Sequence, residues 1–272
     1  MNADPGLPEP RTNVRTTAVQ LRRAGGFAAA VQFLTRIPIR TTVAPDLTAS
    51  VVWFPVVGAL IGAGVGGVAA GLGELVPMTV AAAVAVLAGV LLTGAFHEDG
   101  LADSADALAG GWTVEHRLEI LDDPRHGSYG VAALSGSILL RVVAVSTLAP
   151  AAALAGLVAA HALGRGAAVA TMGAAPVARP EGLGADYARS VGARRALGAA
   201  ALSVAFTTLA TGWWAVPLAA AAAVGAAVVV WLARRAIGGV TGDVLGAVEQ
   251  VAECAVLVVV TGLATRHDLW WR

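Results

Sequence analysis

The chain has 272 residues, of which 57% are hydrophobic and only 13% are charged. A soluble globular domain carries about 25% charged residues, so this composition excludes an ordinary soluble enzyme. The formal net charge is zero, which supplies no basic field for nucleic acid and argues against that class of partner. The one cysteine, Cys254, has no intrachain partner for a disulfide and is expected to be a small buried hydrophobe.

The first residues are polar and carry several prolines and arginines, unlike a secretory signal peptide. Residues 1–17 are therefore predicted to form a disordered tail, and residues 18–272 a single membrane-embedded catalytic domain. A short apolar piece within residues 19–35 is flanked by arginines. It is too short to span a bilayer and is expected to be an interfacial or re-entrant helix that ends before Pro38.

Seven longer apolar stretches follow, each about as long as a helix that crosses a bilayer. They lie near residues 50–71, 79–96, 128–148, 151–172, 196–213, 217–233 and 244–263. The sequence thus predicts an all-α, polytopic integral membrane bundle of about six to eight transmembrane helices. Gly58, Gly62 and Gly66 in the first stretch are spaced for close helix packing.

Arginine placement predicts the orientation of these spans. With the N-terminal arm inside, residues 97–127, 173–195 and 234–243 all fall on one side of the membrane and carry arginines, whereas the opposite loops carry none. The positive-inside rule assigns the arginine side to the cytoplasm, although Arg266 and Arg272 depart from the pattern. The expected location is the cell membrane of a bacterium or archaeon, with the active site facing the cytoplasm.

A cluster of acidic residues follows the second apolar stretch, in the run from His97 to Asp106. Asp99, Asp103 and Asp106 are spaced i, i+4 and i+7, which places them on one face of a helix. Carboxylates at a membrane boundary are costly unless they are hydrated, paired or bound to a cation. Mg²⁺ with a phosphate-bearing substrate is the usual pairing. The alternative is a hydrated loop whose acids contact nothing. The segment from Leu101 to Leu121 is expected to be an interfacial helix.

A second motif runs from Asp122 to Gly130, just before an apolar stretch. Arg125 offers a planar fork suited to phosphate oxygens. Gly127 lets backbone amides approach an anion, and Ser128 is expected to cap the following helix, whose N-terminus would favour phosphate. The alternative is a capped loop with an arginine anchored at the lipid headgroups.

A third motif runs from Gly238 to Ala247 and leads into Glu249 and Glu253. Two carboxylates one helical turn apart within an apolar segment are expensive and favour a functional interpretation. Asp243 is a candidate to join Asp99 and Asp103 at a metal. Arg141 lies inside another apolar stretch and requires a carboxylate partner, for which the two glutamates are candidates.

Together these motifs resemble the cobalamin synthase family, the adenosylcobinamide-GDP ribazoletransferases. The runs Phe33–Pro38, Phe96–Asp106, Asp123–Gly130 and Gly238–Ala247 carry the resemblance, which covers nearly the whole chain after residue 25. One departure is that the family usually has glycine after the last acid of the first motif, whereas here Ala107 follows Asp106.

The resemblance implies a Mg²⁺-dependent transferase that joins adenosylcobinamide-GDP to α-ribazole, or to its 5′-phosphate, and releases GMP late in vitamin B12 synthesis. Asp99, Asp103 and Asp106 would hold Mg²⁺, with Glu98 or Asp243 completing the site. Implied catalytic residues are Glu98, Asp99, His97 and Arg125, and implied substrate-binding residues are Arg125, Gly127, Ser128, Tyr129, Arg36 and Gly242. The expected partners are the two substrates and the lipid bilayer, and a homo-oligomer is left open.

Two other functions compete with this interpretation. A CDP-alcohol phosphotransferase also uses aspartates, glycines and an arginine at one membrane face. This chain lacks the expected Asp-Gly-x-x-Ala-Arg order, because Asp99-Gly100-Leu101-Ala102 is followed by Asp103. A transporter would use Arg141, Glu249 and Glu253 as an ion path. The sequence shows no inverted repeat, and its acids collect at one face rather than at the midplane.

Overall fold

The computed structural model describes residues 25–39, 47–179 and 191–271. The tail predicted for residues 1–17 lies outside these ranges. The helices within them are α1 Gly25–Leu34, α2 Leu47–Ser50, α3 Phe54–Gly73, α4 Met78–Thr93, α5 Phe96–Gly110, α6 Val114–Leu121, α7 Ser128–Ser146, α8 Pro150–Ala174, α9 Ala193–Thr211, α10 Ala215–Ile237 and α11 Gly242–Ala264. Short 3-10 turns, Val51–Trp53 and Gly212–Trp214, precede α3 and separate α9 from α10.

Five helical stretches are long and apolar enough to cross a membrane. They are Thr48–Gly73, Ser128–Ser146, Pro150–Ala174, Ala193–Ile237 and Gly242–Ala264. The fourth contains both α9 and α10, and the pair formed by α4 and α5 is a sixth candidate that bends by 89°. The predicted polytopic helical membrane bundle is therefore confirmed.

Contacts at the two ends of the bundle show how the helices alternate. Near the end of α8, a Cβ added at Gly173 would lie 2.8 Å from the Cβ of Ala196 on α9, and Arg117 Nη1 donates to Ala236 O of α10 at 2.9 Å. At the other end, Trp271 Nε1 donates to Ala210 O at 2.9 Å. Helices α9 and α10 therefore run in opposite directions. We call the end formed by residues 94–130, 175–179 and 234–243 the charged end.

Helix α3 packs closely against a neighbouring helix, as its glycine spacing predicted, and that neighbour is α8. A Cβ at Gly58 would lie 2.3 Å from His161 O, and one at Gly62 would lie 2.4 Å from Leu157 O. Real Cβ atoms do not approach backbone oxygens so closely, so only glycine permits this contact. The close approach brings His161 and Arg165 of α8 into the interior of the bundle.

A sharp elbow separates α4 from α5 and corrects the predicted span at residues 79–96. Helix α4 ends at Thr93 because Gly94 and Ala95 adopt left-handed conformations, with φ of 69° and 58°. The acidic motif consequently lies within α5, and the single helix predicted from Leu101 to Leu121 is two helices, α5 and α6. The segment after α1 supports the elbow, since Arg36 N–H donates to Leu92 O at 2.7 Å.

Candidate active site at the charged end

Helix α5 presents acids to two different environments. Successive residues of a helix point about 100° apart, so neighbouring acids face different ways. Asp99 has 63% of its side chain exposed, whereas Glu98 is only 2% exposed. The structure therefore separates Glu98 from the aspartates with which the sequence grouped it.

Asp99 and Asp103 converge on His126, which lies in the loop before α7. His126 Nδ1 is 3.1 Å from Asp103 Oδ1, and His126 Nε2 is 3.4 Å from Asp99 Oδ1. The sequence motif contained His126, but we did not single it out as a site residue. Its position directly after Arg125 was the available signal.

The start of α11 brings Asp243 to the same place. Gly100 of α5 packs so closely on this turn that an added Cβ would lie 2.7 Å from Asp243 O. Thr241 caps α11 by accepting from Val244 N–H at 3.3 Å, and its hydroxyl donates to Asp243 Oδ2 at 3.3 Å. The predicted convergence of Asp243 with Asp99 and Asp103 thus has a structural basis.

The electrostatics of this group favour a bound cation. Burial, followed by the negative charges of Asp99 and Asp243, raises the pKa of Asp103 to about 6, although His126 acts in the opposite direction. Asp103 lies on α5, which follows the 89° bend after α4 and is not one of the five spanning stretches. The three carboxylates repel each other, and a divalent ion with oxygen ligands would offset that repulsion.

The aspartates form an open arrangement rather than a closed metal cage. Among the described residues, the compact group of three candidate ligands is His161, Glu249 and Glu253, not the acidic motif. Mg²⁺ usually keeps several waters and binds through one or two carboxylates plus substrate phosphates. The exposed and half-buried aspartates fit that mode of binding.

Asp106 has a different role from the other two aspartates of the motif. Its Oδ2 accepts from Gly127 N–H at 2.6 Å and its Oδ1 from Gly130 N–H at 2.9 Å. It therefore caps α7 from a neighbouring helix. Ser128, predicted to be the cap, makes no capping hydrogen bond and is the first residue of the helix. The anion predicted at these amides is the Asp106 carboxylate.

Arg125 is exposed to solvent in the loop before α7, next to His126. Its side chain is 85% exposed and forms a bidentate pair with Asp123, with Nε to Oδ1 at 2.9 Å and Nη2 to Oδ2 at 2.6 Å. Hydrogen bonds from Arg125 lower the pKa of Asp123 to about 2. Exposed pairs of this kind contribute little stability, so the guanidinium is free to exchange Asp123 for a phosphate.

The remaining predicted substrate-binding residues, Tyr129, Arg36 and Gly242, lie around this end. Tyr129 is exposed and approaches Gly110 at the end of α5. Arg36 crosses the elbow at Gly94, and Gly242 is the first residue of α11. Their roles toward a substrate stay predictions.

A second group of charges lies inside the bundle, and we call it the interior cluster. It contains Glu98, Arg141, Arg165, Glu249 and Glu253, together with His97 and His161, all of them buried. Arg141 Nη2 donates to Glu98 Oε1 at 3.0 Å, and its Nη1 lies 3.5 Å from Glu253 Oε2. The predicted pairing of Arg141 with Glu253 is therefore present, whereas its shorter bond to Glu98 was not foreseen.

Arg165 completes the interior cluster from α8. Its Nη1 donates to Glu253 Oε1 at 2.7 Å and also bonds Glu249, while His161 Nδ1 contacts Glu253. The guanidinium thus takes the place among these oxygens that a metal would need, so this group does not fit a metal ion. Next along α11, Cys254 is buried with its Sγ directed at Ser137 O.

These features define a polytopic membrane protein with an acidic, phosphate-compatible site at one end of its bundle. Residues 26–261 match the family model described as cobalamin-5-phosphate synthase, and the chain therefore belongs to that family.

Similar proteins carry one common name, adenosylcobinamide-GDP ribazoletransferase. The protein of Azorhizobium caulinodans is 40% identical over 88% of this chain and 96% of its own length. Those of Shewanella frigidimarina and Ralstonia nicotianae are 35% and 41% identical, over 90% and 84% of this chain and 97% and 91% of their own lengths. No solved structure matches the chain.

Proposed function

We propose that the chain joins adenosylcobinamide-GDP to α-ribazole, or to its 5′-phosphate, and releases GMP at the aspartates of the charged end. The family and the names of its relatives make the chain a transferase of late cobalamin synthesis. The observation that carries the site is the approach of Asp99, Asp103 and Asp243 beside the loop that holds Arg125 and His126.

The reaction exchanges a phosphoanhydride bond for a phosphoester bond. An oxygen of a ribazole hydroxyl attacks the cobinamide-side phosphorus of the pyrophosphate, the bond from that phosphorus to GMP breaks, and the hydroxyl proton is released. Negative charge grows on the phosphoryl oxygens and on the departing GMP. Mg²⁺ held at Asp99, Asp103 and Asp243 would neutralise part of that charge.

The protein's own side chains divide the remaining work. Arg125 leaves Asp123 and binds the pyrophosphate or the leaving GMP with its planar fork. His126 lies between two aspartates at the solvent-facing site, so it is placed to accept the hydroxyl proton. His97, the earlier candidate for this step, is buried 3.6 Å from Glu249 in the interior cluster. There His97 and Glu98 fix the orientation of α5.

The orientation in the membrane is part of the proposal. The charged end carries Arg117, Arg125, Arg179, Arg234 and Arg235, which supports a cytoplasmic position by the positive-inside rule. Both substrates would then enter from the cytoplasm of a bacterium or archaeon. Self-association of the chain stays a prediction.

The two competing functions receive less support. The cavity beside the interior cluster measures about 10 Å³, which is room for about one water, and an ion path needs more than that. The CDP-alcohol class would require Ala-Arg at positions 103 and 104, which are Asp103 and Ser104.

The experiment that tests the proposal measures GMP release by the detergent-solubilised protein given adenosylcobinamide-GDP, α-ribazole and Mg²⁺. Release should require both substrates, stop with EDTA and return when Mg²⁺ is restored. Release that persists in EDTA would remove the metal from the proposal. A well-folded protein that releases no GMP from either acceptor would overturn the transferase assignment.

A further inference from the structure

A groove lies between α8, α9 and α10, away from the helices that carry the aspartates. Its volume is about 530 Å³, and its walls are built from small side chains such as Gly166 and Ala170 of α8, Ser203 of α9, and Ala223 and Ala226 of α10. Arg234 lines it at the charged end. No lining residue comes from α5, α7 or α11, so the groove is separate from the candidate active site.

The groove is long enough to take an extended hydrocarbon chain. Its lining on α10 runs from Ala219 to Arg234, a span of about 22 Å at 1.5 Å per residue.

The charge at the mouth of the groove selects the headgroup. Arg234 is exposed, and none of the carboxylates in the described ranges forms an ion pair with it. Its neighbour Arg235 instead stacks over Trp231 at 4.4 Å. A guanidinium binds phosphate oxygens through two parallel hydrogen bonds, and basic pockets between transmembrane helices are known recognition sites for acidic lipid headgroups.

We propose that this groove binds one acidic phospholipid, with an acyl chain along the small residues of α10 and the headgroup phosphate at Arg234. The apolar lining shields the acyl chain from contact with neighbouring lipids. Arg234 distinguishes an acidic headgroup from a zwitterionic one. The lipid would fill the space that α9 and α10 leave open beside α8.

The test uses the full chain, delipidated in detergent and then offered phosphatidylglycerol or phosphatidylcholine with identical acyl chains. Native mass spectrometry counts the lipids retained per protein. We expect one retained phosphatidylglycerol and about 5-fold weaker retention of phosphatidylcholine, the factor that about 1 kcal/mol per arginine gives. Arg234→Ala should lose that preference, while the matched control Arg235→Ala, one residue away, keeps it.

A second pair of variants tests the chain-binding part of the groove. Ala223→Phe places a ring inside it, whereas Ala227→Phe adds the same ring to another exposed position of α10 outside the lining. Ala223→Phe should abolish lipid retention, and Ala227→Phe should not.

Equal lipid retention by Ala223→Phe and Ala227→Phe would overturn the proposal. Equal retention of phosphatidylglycerol and phosphatidylcholine by the parent protein would also overturn it. A loss of dimer mass in Ala223→Phe without a change in lipid count would assign the groove to a second copy instead. A raised KM for either substrate without a change in lipid count would assign it to the substrate. None of the lipid counts depends on transferase activity.

Discussion

The site at the charged end and the interior cluster use the same kinds of side chain in opposite balance. At the charged end, Asp99 and Asp103 share one contacting basic side chain among the described residues, His126. In the interior, each glutamate of the cluster contacts an arginine or a histidine. The first group is short of positive charge, and the second is close to neutral.

The difference follows from where each group lies. A charge inside a membrane-embedded bundle costs several kcal/mol unless a partner compensates it, so the glutamates come with Arg141 and Arg165. The aspartates face solvent in part, where unpaired charge is tolerated. An uncompensated carboxylate group at the surface can therefore receive a cation or a cationic ligand, whereas a compensated one inside serves to hold helices together.

The largest effect is expected from Arg165→Met, which tests the interior half of the comparison. The change keeps volume but leaves Glu249 and Glu253 without their shared cation, which should cost about 3–5 kcal/mol of folding stability. The melting temperature in detergent should fall sharply, and a second change, Glu249→Gln, should restore part of it. Arg266→Met, at an exposed position, is the control. An Arg165→Met protein that melts like this control would show that the cluster does not hold the bundle.

Asp103→Asn tests the other half and should separate activity from stability. GMP release should fall by about 100-fold or more, as for loss of one preorganised electrostatic group. The melting temperature should stay the same or rise, because the change removes repulsion from Asp99 and Asp243. Glu115→Gln, an exposed acid on α6, should change neither quantity. Near-full turnover in Asp103→Asn would sink the metal assignment.

Arg125→Ala should have an intermediate effect confined to catalysis. Loss of its charged hydrogen bonds to a phosphate should raise the KM for the GDP-bearing substrate, or lower kcat, by about 10-fold. The melting temperature should barely move because the pair with Asp123 is exposed. Steady-state kinetics on both substrates would check this, with Arg266→Ala alongside. An unchanged kinetic profile would remove Arg125 from the site.

The smallest effect is expected from Gly130→Ala, which probes the cap that joins the two regions. Its Cβ would lie 2.2 Å from Asp106 Oδ2 and 2.8 Å from Ala102 O. The carboxylate must therefore leave the α7 amides, a loss of about 1 kcal/mol, and the backbone of α5 must also shift. Gly136→Ala on the same helix meets nothing within 4 Å and should stabilise by up to about 1 kcal/mol. Two variants with the same melting temperature would contradict this account of the cap.

Much of the fold could be predicted because apolar runs of bilayer length and glycine spacing are local signals. Close packing at Gly58 and Gly62 was predicted from their spacing, although the partner helix was not. Glu253 was one of two glutamates predicted as candidate partners of Arg141. The family resemblance was likewise carried by contiguous motifs, and the family match confirmed it.

The division of the acids between two sites could not be predicted, since it depends on how α5 is rotated. Glu98 and Asp99 are adjacent acids, and spacing alone does not tell which one points inward. The elbow at Gly94 and Ala95 sets that rotation, and one of its two left-handed residues is an alanine, which gives no turn signal. The role of Asp106 as a cap could not be predicted either. Its partners lie more than twenty positions away in the chain, and the contact depends on the same rotation of α5.

The burial of Cys254 makes the chain almost inert toward water-soluble thiol reagents. It is the protein's one cysteine, and its sulfur is enclosed between α11 and α7. A cysteine introduced at an exposed position is therefore the one thiol that reacts. Placed at Glu115 on the charged end or at Leu75 on the opposite end, both exposed, such a label reports which end of the bundle faces the outside of an intact cell.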